Sequence, residues 1–306
     1  MQQELNTKKA TQPPLKYAIV MAAYNEENHI GFTLESIAKQ TIKPIKLIIV
    51  DDNSNDRTFE IAKTFEAKHQ WATVYKKPSN KSEHSPGSKV VEAFNFGYKQ
   101  LNTKHDLITK LDADLILPTN YFEHLISFFD SDPQLGLAGG VAYIKKQSNW
   151  VLENLTNLDH VRGAFKTYRA TCFNQINGLK PAMGWDTVDE LLCLYYNWKI
   201  KIDKNLIIKH LKPTGFNYNK SARLKQGKSF YRLGYGFLIT LIASLKLAYK
   251  KRKFKLLFDY IQGYLKAKKN NIPLLVTKDQ AIFIRKYRIS NIKKNILLKL
   301  KSFFSF

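Results

Sequence analysis

Two aspartates, Asp112 and Asp114, stand one residue apart in the stretch KLDADLILP at positions 110 to 118. If 107 to 114 is an extended strand, both side chains lie on one side of it, because strand side chains alternate with a period of two. Close carboxylates repel each other unless positive charge lies between them, and hard divalent cations prefer oxygen ligands and substrate phosphates. The pair therefore predicts a site for Mg²⁺ or Mn²⁺ with a nucleotide diphosphate. The alternative is a solvated, Asp-rich loop.

The surrounding sequence alternates short apolar runs with helical patterns, which is typical of an α/β domain with a largely parallel sheet. Strands are predicted for YAIVMAA at 17–23, IKLIIVDD at 45–52, WATVY at 71–75, HDLITKLDAD at 105–114 and LGLAGGVAYI at 135–144. Helices are predicted over 27–39, from the capping residues Ser54 and Asp56 to 68, over 89–101 and over 121–129. Ligands of such sheets bind at the carboxyl ends of the strands, where Asp51, Asp52, Asp112 and Asp114 all fall.

Three segments in this order resemble the nucleotide-binding half of family 2 glycosyltransferases. They are AAYNEENHIGFTLESIAKQTIKPIKLIIVDDNSNDRT, SPGSKVVEAFNFG and LDADLILP, and the likeness extends over residues 16–215. It implies a GT-A fold, which is a Rossmann-like and mostly parallel sheet, and transfer of a sugar from a UDP-, GDP- or dTDP-linked donor to a hydroxyl group. Members of the family invert the anomeric configuration, and the chain shows no candidate for the second nucleophile of a retaining route.

The resemblance also implies roles at the donor, and each has a plain structural alternative. Tyr24 is expected to lie against the nucleobase, or it is a half-buried strand-end tyrosine. Asp52 is expected to accept a hydrogen bond from the base, or it belongs to an Asx-rich turn. Glu26 contacts the nucleoside or begins a helix, with the helix favoured, and Lys89 is a phosphate partner or a solvated helix residue. The other residues expected around the donor are Ala22, Asp112, Ala113 and Trp185, the last as a sugar platform or as packing.

A second acidic centre lies in GWDTVDELLCLYYNWKI at 184–200. Sugar transfer needs a base that takes the proton from the attacking hydroxyl, and a carboxylate can serve. Asp186 is the first choice and Asp189 the second, because the family usually shows Glu-Asp where this chain has Trp185-Asp186. The competing explanation is ordinary acidic charge at a helix start. By resemblance His210 joins Asp112 and Asp114 at the metal, although a lone histidine is more often packed or capping.

The charge of the chain is concentrated at one end. Residues 1–215 hold 27 Lys/Arg against 23 Asp/Glu, whereas 216–306 hold 22 against 2. We therefore expect a disordered lead-in over 1–15, a catalytic domain over 16–215, and a helical, basic, membrane-associating region over 216–306. Nucleic-acid binding could rest only on this last region, because the first 215 residues are nearly balanced in charge.

Apolar stripes run through the basic region. The uncharged run LGYGFLITLIASL at 233–245 would give about 20 Å of helix, which is shorter than the ~30 Å hydrocarbon core of a bilayer. Helical stripes follow at Phe254, Leu257, Phe258, Ile261 and Leu265, and at Ile289, Ile292, Ile296, Leu300 and Phe303. Such helices lie in the membrane interface or pack on the catalytic domain with their lysines solvated.

The function predicted from the sequence is an inverting glycosyltransferase that modifies a lipid-linked or oligosaccharide acceptor in cell-envelope polysaccharide synthesis. It would work in the bacterial cytoplasm, peripheral on the anionic inner face of the membrane, and would not bind nucleic acid. Two cysteines without CxxC spacing and an N-terminus without a signal-like apolar run fit that compartment. The alternatives are a sugar-phosphate nucleotidyltransferase, which would open with a Gly-rich phosphate loop, and a basic nucleic-acid-binding protein.

Overall fold

A computed structural model describes residues 13–78, 87–153, 160–212 and 220–303. Most of the predicted lead-in thus falls outside the described residues. The strands are β1 Tyr17–Ala23, β2 Lys46–Asp51, β3 Ala72–Lys76, β4 Leu107–Asp112, β5 Leu115–Ile116, β6 Leu135–Lys146, β7 Asn149–Leu152, β8 Phe165–Arg169 and β9 Lys199–His210. The helices are α1 Ile30–Ala38, α2 Thr58–Lys68, α3 Ser88–Lys99, α4 Tyr121–Ser131, α5 Ala170–Gln175, α6 Trp185–Tyr195, α7 Lys220–Arg232, α8 Gly236–Lys250, α9 Lys255–Lys269 and α10 Lys278–Phe303.

One sheet organises these elements, in the order β3-β2-β1-β4-β8-β6-β9-β5, with β7 paired to β6. Strands β1 to β4 are mutually parallel, so their carboxyl ends meet at one edge. Strand β8 then pairs antiparallel with both β4 and β6, while β6 and β9 run parallel. The predicted α/β class with a GT-A-like sheet is confirmed.

The apolar strands are buried because helices cover both faces of the sheet. In β1, Ala18 and Val20 join one core cluster, while Ile19 and Met21 join the other. Helix α3 lies close against the first face, where a Cβ added to Gly97 would come within 2.7 Å of the Val50 and Val20 side chains. Helices α1 and α4 cover the second face.

The predicted strand through 114 is too long. Strand β4 ends at Asp112, a bend follows, and the two-residue strand β5 leaves in a new direction to pair with the end of β9. The hydroxyl of Thr33 on α1 fixes this bend, since it donates to the Ala113 carbonyl at 2.8 Å and accepts from the Leu115 amide at 2.9 Å. The bend sits where ligands bind such sheets.

Helices α7 to α10 pack on the first sheet face and share its core. Phe230, Tyr235, Tyr260 and Ile284 belong to the same cluster as Val20, Val188 and other catalytic-domain residues. Helices α7 and α9 cross so closely that a Cβ on Gly227 would lie 1.9 Å from the Tyr260 carbonyl oxygen. The division at residue 215 stays a prediction, but the two parts are joined by one core.

Three of the five residues of the predicted stripe on α9 face away from that core, whereas Leu257 packs against it and Ile261 is half-buried. Phe254, Phe258 and Leu265 are exposed, and the side that packs inward consists of Leu256, Tyr260, Gly263, Tyr264 and Ala267. On α10, Ile296 is exposed, and the side chains of Leu300 and Phe303 lie outside the described residues. Over the described ranges, no helix combines the length and hydropathy needed to cross a membrane.

Candidate active site

The paired aspartates lie at the carboxyl edge of the parallel strands, each beside a basic partner. Asp112 forms an ion pair with Lys110, which lies on the same side of β4 two residues earlier. Asp114 is buried, and its Oδ2 is 3.4 Å from His210 Nε2 at the end of β9. Burial raises the pKa of Asp112, which Lys110 opposes and the nearby Asp114 reinforces. The two carboxylates therefore act on each other across the bend.

His210 joins two acidic side chains. Its Nδ1 lies 3.1 Å from Glu153 Oε2, opposite the contact with Asp114. Burial alone would lower the pKa of His210, but the bonds to Asp114 and Glu153 outweigh it and raise that pKa to about 9. His210 thus lies beside Asp114, as expected from the sequence, because β9 ends at His210 and pairs with β5, which begins right after Asp114.

Glu26 follows β1 and lies at the same edge. Burial raises the pKa of Glu26 to about 7, Lys212 opposes this shift, and Asp114 and Asp112 add to it. Lys212 donates to Glu26 Oε1 at 2.5 Å, whereas the buried Oε2 makes no hydrogen bond among the described residues. Glu26 therefore lies close enough to Asp112 and Asp114 for their negative charge to raise the pKa of its carboxyl group.

The proposed nucleobase end lies beyond β1 and β2. Tyr24 is 53% exposed, so its ring is open to a stacking partner. Asp52 is largely buried and its Oδ1 accepts from Lys77 Nζ at 2.8 Å. Asp51 is buried and accepts from the Ser54 amide at 3.3 Å, which fixes the turn after β2.

The remaining donor candidates differ in placement. Ala22 pairs in register with Asp112, so it lies directly beside the acidic edge. Ala113 is buried and its carbonyl is bound to Thr33. Lys89 is exposed on the first turn of α3. Of the three, Ala22 and Ala113 lie with the aspartates, and nothing in the described contacts ties Lys89 to them.

The second acidic centre begins at α6. Gly184, in the left-handed region at φ 84°, ends the preceding loop and starts the helix. The Asp186 side chain is 37% exposed, and its Oδ2 lies 3.5 Å from His160 Nε2. Burial would raise the pKa of Asp186, but His160 and Lys166 outweigh it and lower that pKa. Asp186 is therefore ionised at neutral pH and open to a substrate.

His160 connects Asp186 to a deeper acid. Its Nδ1 is 2.9 Å from Glu190 Oε2 while its Nε2 faces Asp186. Burial lowers the pKa of His160, but the hydrogen bonds to Asp186 and Glu190 outweigh this and raise it to about 9. The ring is thus an imidazolium held between two carboxylates at neutral pH.

Asp189 occupies a different environment on the same helix. Its side chain is 1% exposed and accepts two bonds from Lys166 Nζ, at 2.9 and 2.8 Å, and a third from the Tyr168 hydroxyl. Lys166 is itself fully buried. A carboxylate buried in an ion pair of this kind has no access to an acceptor hydroxyl, so Asp186 is the more accessible of the two candidate acids.

Trp185 joins the two centres. Its ring lies 5.2 Å from Lys110 Nζ and 5.7 Å from Lys166 Nζ, the partners of Asp112 and Asp189. These lysines are cross-strand neighbours on β4 and β8. Trp185 is largely buried, so it packs against these two lysines and does not present an open face to solvent.

Sequence reasoning missed the basic partners of the acidic residues. Lys110 could have been found, because a lysine two residues before Asp112 in a strand shares its side. Lys166 and His160 lie more than 20 residues before the acids they contact, and no local pattern marks them. The acidic partner of His210, Glu153, was missed for the same reason, since 57 residues separate the two. Lys77 follows β3 and meets Asp52 only because β2 and β3 are parallel neighbours.

The donor set around the bend fits a hard cation. Asp112 and Asp114 offer carboxylate oxygens, which suit Mg²⁺ or Mn²⁺, and the His210 imidazole can join them once it gives up the proton that its raised pKa holds at neutral pH. In the described ranges, no three acidic, histidine or cysteine side chains already converge as a metal cluster. The like-charge influence of Asp112 and Asp114 on Glu26 is the electrostatic situation that a divalent cation relieves.

The sequence also matches a known family. The model of glycosyl transferase family 2 matches residues 18–180, more than half of the chain. This chain belongs to glycosyl transferase family 2. The matched segment runs from β1 through the acidic edge to the loop that precedes α6, so it contains Asp112 and Asp114 and stops just before Asp186.

Two curated relatives and one solved structure are similar to this family 2 chain. The minor teichoic acid biosynthesis protein GgaB of Bacillus subtilis (strain 168) is 33% identical over 116 residues, 37% of this chain and 12% of GgaB. The poly-beta-1,6-N-acetyl-D-glucosamine synthase of Staphylococcus epidermidis is 26% identical over 198 residues, 60% of this chain and 45% of the synthase. This family 2 chain thus spans less than half of either relative.

The solved structure is the mannosyltransferase PcManGT from Pyrobaculum calidifontis, determined with GDP-Man and Mn²⁺. It aligns over 92% of this chain and 81% of its own, with a TM-score of 0.57 and 12% sequence identity. At that identity the likeness concerns the fold. It supports the GT-A-like architecture of this family 2 chain.

Proposed function

We propose that this chain is an inverting, metal-dependent glycosyltransferase that moves a sugar from a nucleotide-diphosphate donor to an acceptor hydroxyl. The observation that carries the proposal is the placement of Asp186. Its side chain is ionised and 37% exposed at the start of α6, and its backbone carbonyl accepts from Lys166, the cross-strand neighbour of the Lys110 that pairs with Asp112. Family 2 membership gives the reaction class.

The donor would bind along the carboxyl edge of β1, β2 and β4. Tyr24 would stack on the nucleobase, Asp52 would bind its edge once freed from Lys77, and Ala22 and Ala113 would line the floor beside the diphosphate. UDP-, GDP- and dTDP-linked sugars remain the candidate donors, and GDP-Man is the ligand of the PcManGT structure.

Asp112, Asp114 and His210 would hold Mg²⁺ or Mn²⁺ at the bend. When bound, the ion would stabilise the negative charge that develops on the departing nucleotide diphosphate. Lys212, which meets Glu26 at the same edge, would add positive charge toward the phosphates.

Asp186 would take the acceptor proton. As the acceptor oxygen bonds to the anomeric carbon, the bond from that carbon to the diphosphate oxygen breaks and the hydroxyl proton passes to Asp186. His160, held by Glu190, keeps Asp186 ionised and oriented. Attack on the face opposite the leaving group inverts the anomeric configuration.

We further propose an acceptor of the lipid-linked or oligosaccharide kind, used in cell-envelope polysaccharide synthesis at the inner face of the membrane. GgaB and the Staphylococcus epidermidis synthase, by name, act in teichoic acid and polysaccharide synthesis. The family match removes the support for a nucleotidyltransferase.

The test is a panel of nucleotide sugars incubated with full-length protein, Mn²⁺ and candidate acceptors. The product is analysed by NMR for the anomeric configuration of the new bond. We expect one donor to be consumed with inversion. A product that retains the donor configuration would contradict the single-displacement mechanism.

A further inference from the structure

The α8–α9 tip, defined as residues 249–258, carries the most exposed large apolar side chains of the described chain. Tyr249, Phe254 and Phe258 are 79%, 69% and 72% exposed. They flank the turn between α8 and α9, within ten residues of one another. All three are aromatic, the side-chain class that partitions into membrane interfaces.

The apolar surface of the tip continues along both helices. On α8, Leu238, Leu245 and Tyr249 follow one side of the helix, while the buried Thr240, Ser244 and Ala248 follow the other. On α9, Phe254, Phe258 and Leu265 lie opposite the buried Leu256, Tyr260 and Gly263. Within the described residues each helix thus carries an exposed apolar side opposite the side that the fold covers.

Basic residues surround the aromatic tip. Lys250, Lys251, Arg252 and Lys253 are consecutive and exposed, and Lys246 and Lys255 flank them. No Asp or Glu occurs between 246 and 258. The nearest acid, Asp259, is turned away in an ion pair with Arg223 at 3.5 Å. The tip therefore complements a negatively charged partner.

The tip combines positive charge with exposed apolar side chains, and this combination distinguishes between the possible negatively charged partners. A nucleic acid would engage the lysines and stack on aromatics, but it would gain nothing from Leu238, Leu245 and Leu265. A second copy would bring another chain of formal charge +24 against a basic surface. A bilayer with anionic headgroups matches both the charge and the apolar stripes.

We propose that the α8–α9 tip docks the protein on an anionic phospholipid bilayer, with Tyr249, Phe254 and Phe258 in the headgroup region and the surrounding lysines on lipid phosphates. The docking proposal rests on the proposed function in one respect: docking would give the enzyme access to a lipid-linked acceptor. Helix α7, which crosses α9 at Gly227 and Tyr260, also contacts the segment before α6, because Ser229 Oγ donates to the Met183 carbonyl at 2.9 Å.

Site-specific labelling tests the insertion in the full-length protein. Cys172 and Cys193 are both buried, so one new surface cysteine can be labelled selectively with an environment-sensitive dye. We compare Phe254→Cys with Phe32→Cys, a 56% exposed phenylalanine on α1, as the matched control. The probes are phosphatidylcholine vesicles with and without phosphatidylglycerol.

We expect the dye at 254 to shift to the blue only with phosphatidylglycerol vesicles, and the dye at 32 to stay unchanged. We also expect Tyr249→Ser/Phe254→Ser/Phe258→Ser to weaken vesicle co-sedimentation at least about ten-fold. Its hydrolysis of the donor in the absence of vesicles should stay at the wild-type rate. The control Lys145→Gln/Lys146→Gln removes two exposed lysines elsewhere and should sediment with vesicles much like wild type.

Several results would overturn the proposal. Equal shifts at 254 and 32, wild-type sedimentation of the triple variant, or loss of RNA binding or of self-association in place of vesicle binding would each assign the tip to another role. The wild-type protein and the variants could also bind vesicles as expected but turn over no donor. That result would contradict the proposed function and leave the docking proposal supported.

Discussion

At the scale of single residues, the decisive contrast is between Asp186 and Asp189, one helical turn apart on α6. The Asp186 side chain is 37% exposed and lies 3.5 Å from His160, whereas Asp189 is 1% exposed and bound by Lys166 and Tyr168. A general base must reach its substrate, and a buried carboxylate with an ammonium partner holds the fold together instead. Substitution of Asp186 and substitution of Asp189 should therefore have different effects, the first on transfer and the second on stability.

We predict that Asp186→Asn loses transfer by about 10²-fold or more, because the amide cannot take a proton. It should keep its affinity for the donor nucleotide and its melting temperature. Asp189→Asn should instead lower the free energy of unfolding by roughly 1–3 kcal/mol, since buried Lys166 and Tyr168 lose a charged acceptor while Glu190 still lies 3.2 Å from Lys166. Transfer assays, nucleotide titration and denaturant unfolding on both variants distinguish the two. A folded Asp189→Asn that binds donor but does not transfer would exchange their roles.

The ionisation of His160 should affect the pH dependence of the reaction. Its pKa of about 9 in the folded protein lies above the unfolded value near ~6.5. The stabilisation from its pairing with Asp186 and Glu190 is therefore full below pH ~6.5 and is lost as the pH rises through about 9. Lys166 is the other charged group that acts on this ring.

We predict that wild-type activity falls on a basic limb near pH 9, when Asp186 loses its charged partner. His160→Gln should lack that limb and should lower kcat roughly ten- to hundred-fold through misplacement of Asp186. A kcat–pH profile on both proteins is the measurement. A basic limb that persists in His160→Gln belongs to another group.

At the scale of elements, strands β1 to β4 and β6 were predicted from the sequence, whereas β5, β7, β8 and β9 were not. Strands β1 and β2 are buried on both faces, so each reads as a largely apolar run, and β1 begins and ends where predicted. Helix α1 starts at Ile30, three residues later than predicted, because the backbone amides of Asn25 to Glu27 bind side chains of the loop after β2. Strand β5 was missed because a side chain 82 residues away, Thr33, makes the bend before it.

The crossing of α7 and α9 gives an element-scale prediction. A methyl group at Gly227 would lie 1.9 Å from the Tyr260 carbonyl oxygen, so Gly227→Ala must push the helices apart. We expect a loss of about 1–3 kcal/mol or more in the free energy of unfolding. The control is Gly31→Ala on α1, where a Cβ meets nothing within 4 Å and should add about 0.5–1 kcal/mol. Equal effects in urea denaturation would show that the crossing is looser than described.

At the scale of the whole molecule, the basic helices are part of the folded core, not an appendage. Leu256, Tyr260, Tyr264, Ala281 and Ile284 share a cluster with the residues under the sheet. From the sequence, both attachment to membranes and packing on the catalytic domain were open. The structure shows that α9 has an apolar side for the core and a second, exposed apolar side.

Removal of residues 250–306 should therefore do more than release protein from membranes. The truncation exposes the inner side of α8 and the core beneath it, so we expect a protein that is insoluble or lacks a cooperative thermal transition. The tip variants, which change exposed residues alone, should keep the wild-type transition. A truncated chain that melts cooperatively at the wild-type temperature would show that the catalytic domain folds alone.

The proposed function depends most on the binding of a nucleotide diphosphate and a divalent cation together at the Asp112–Asp114 bend. The direct measurement is calorimetric titration of UDP, GDP and dTDP into wild-type protein and Asp114→Ala, each with and without Mn²⁺. We predict that one nucleotide binds wild type tightly only with Mn²⁺, and that Asp114→Ala loses the Mn²⁺-dependent part while its melting temperature shows that it is folded. Mn²⁺-dependent binding of equal affinity in Asp114→Ala would contradict the central claim.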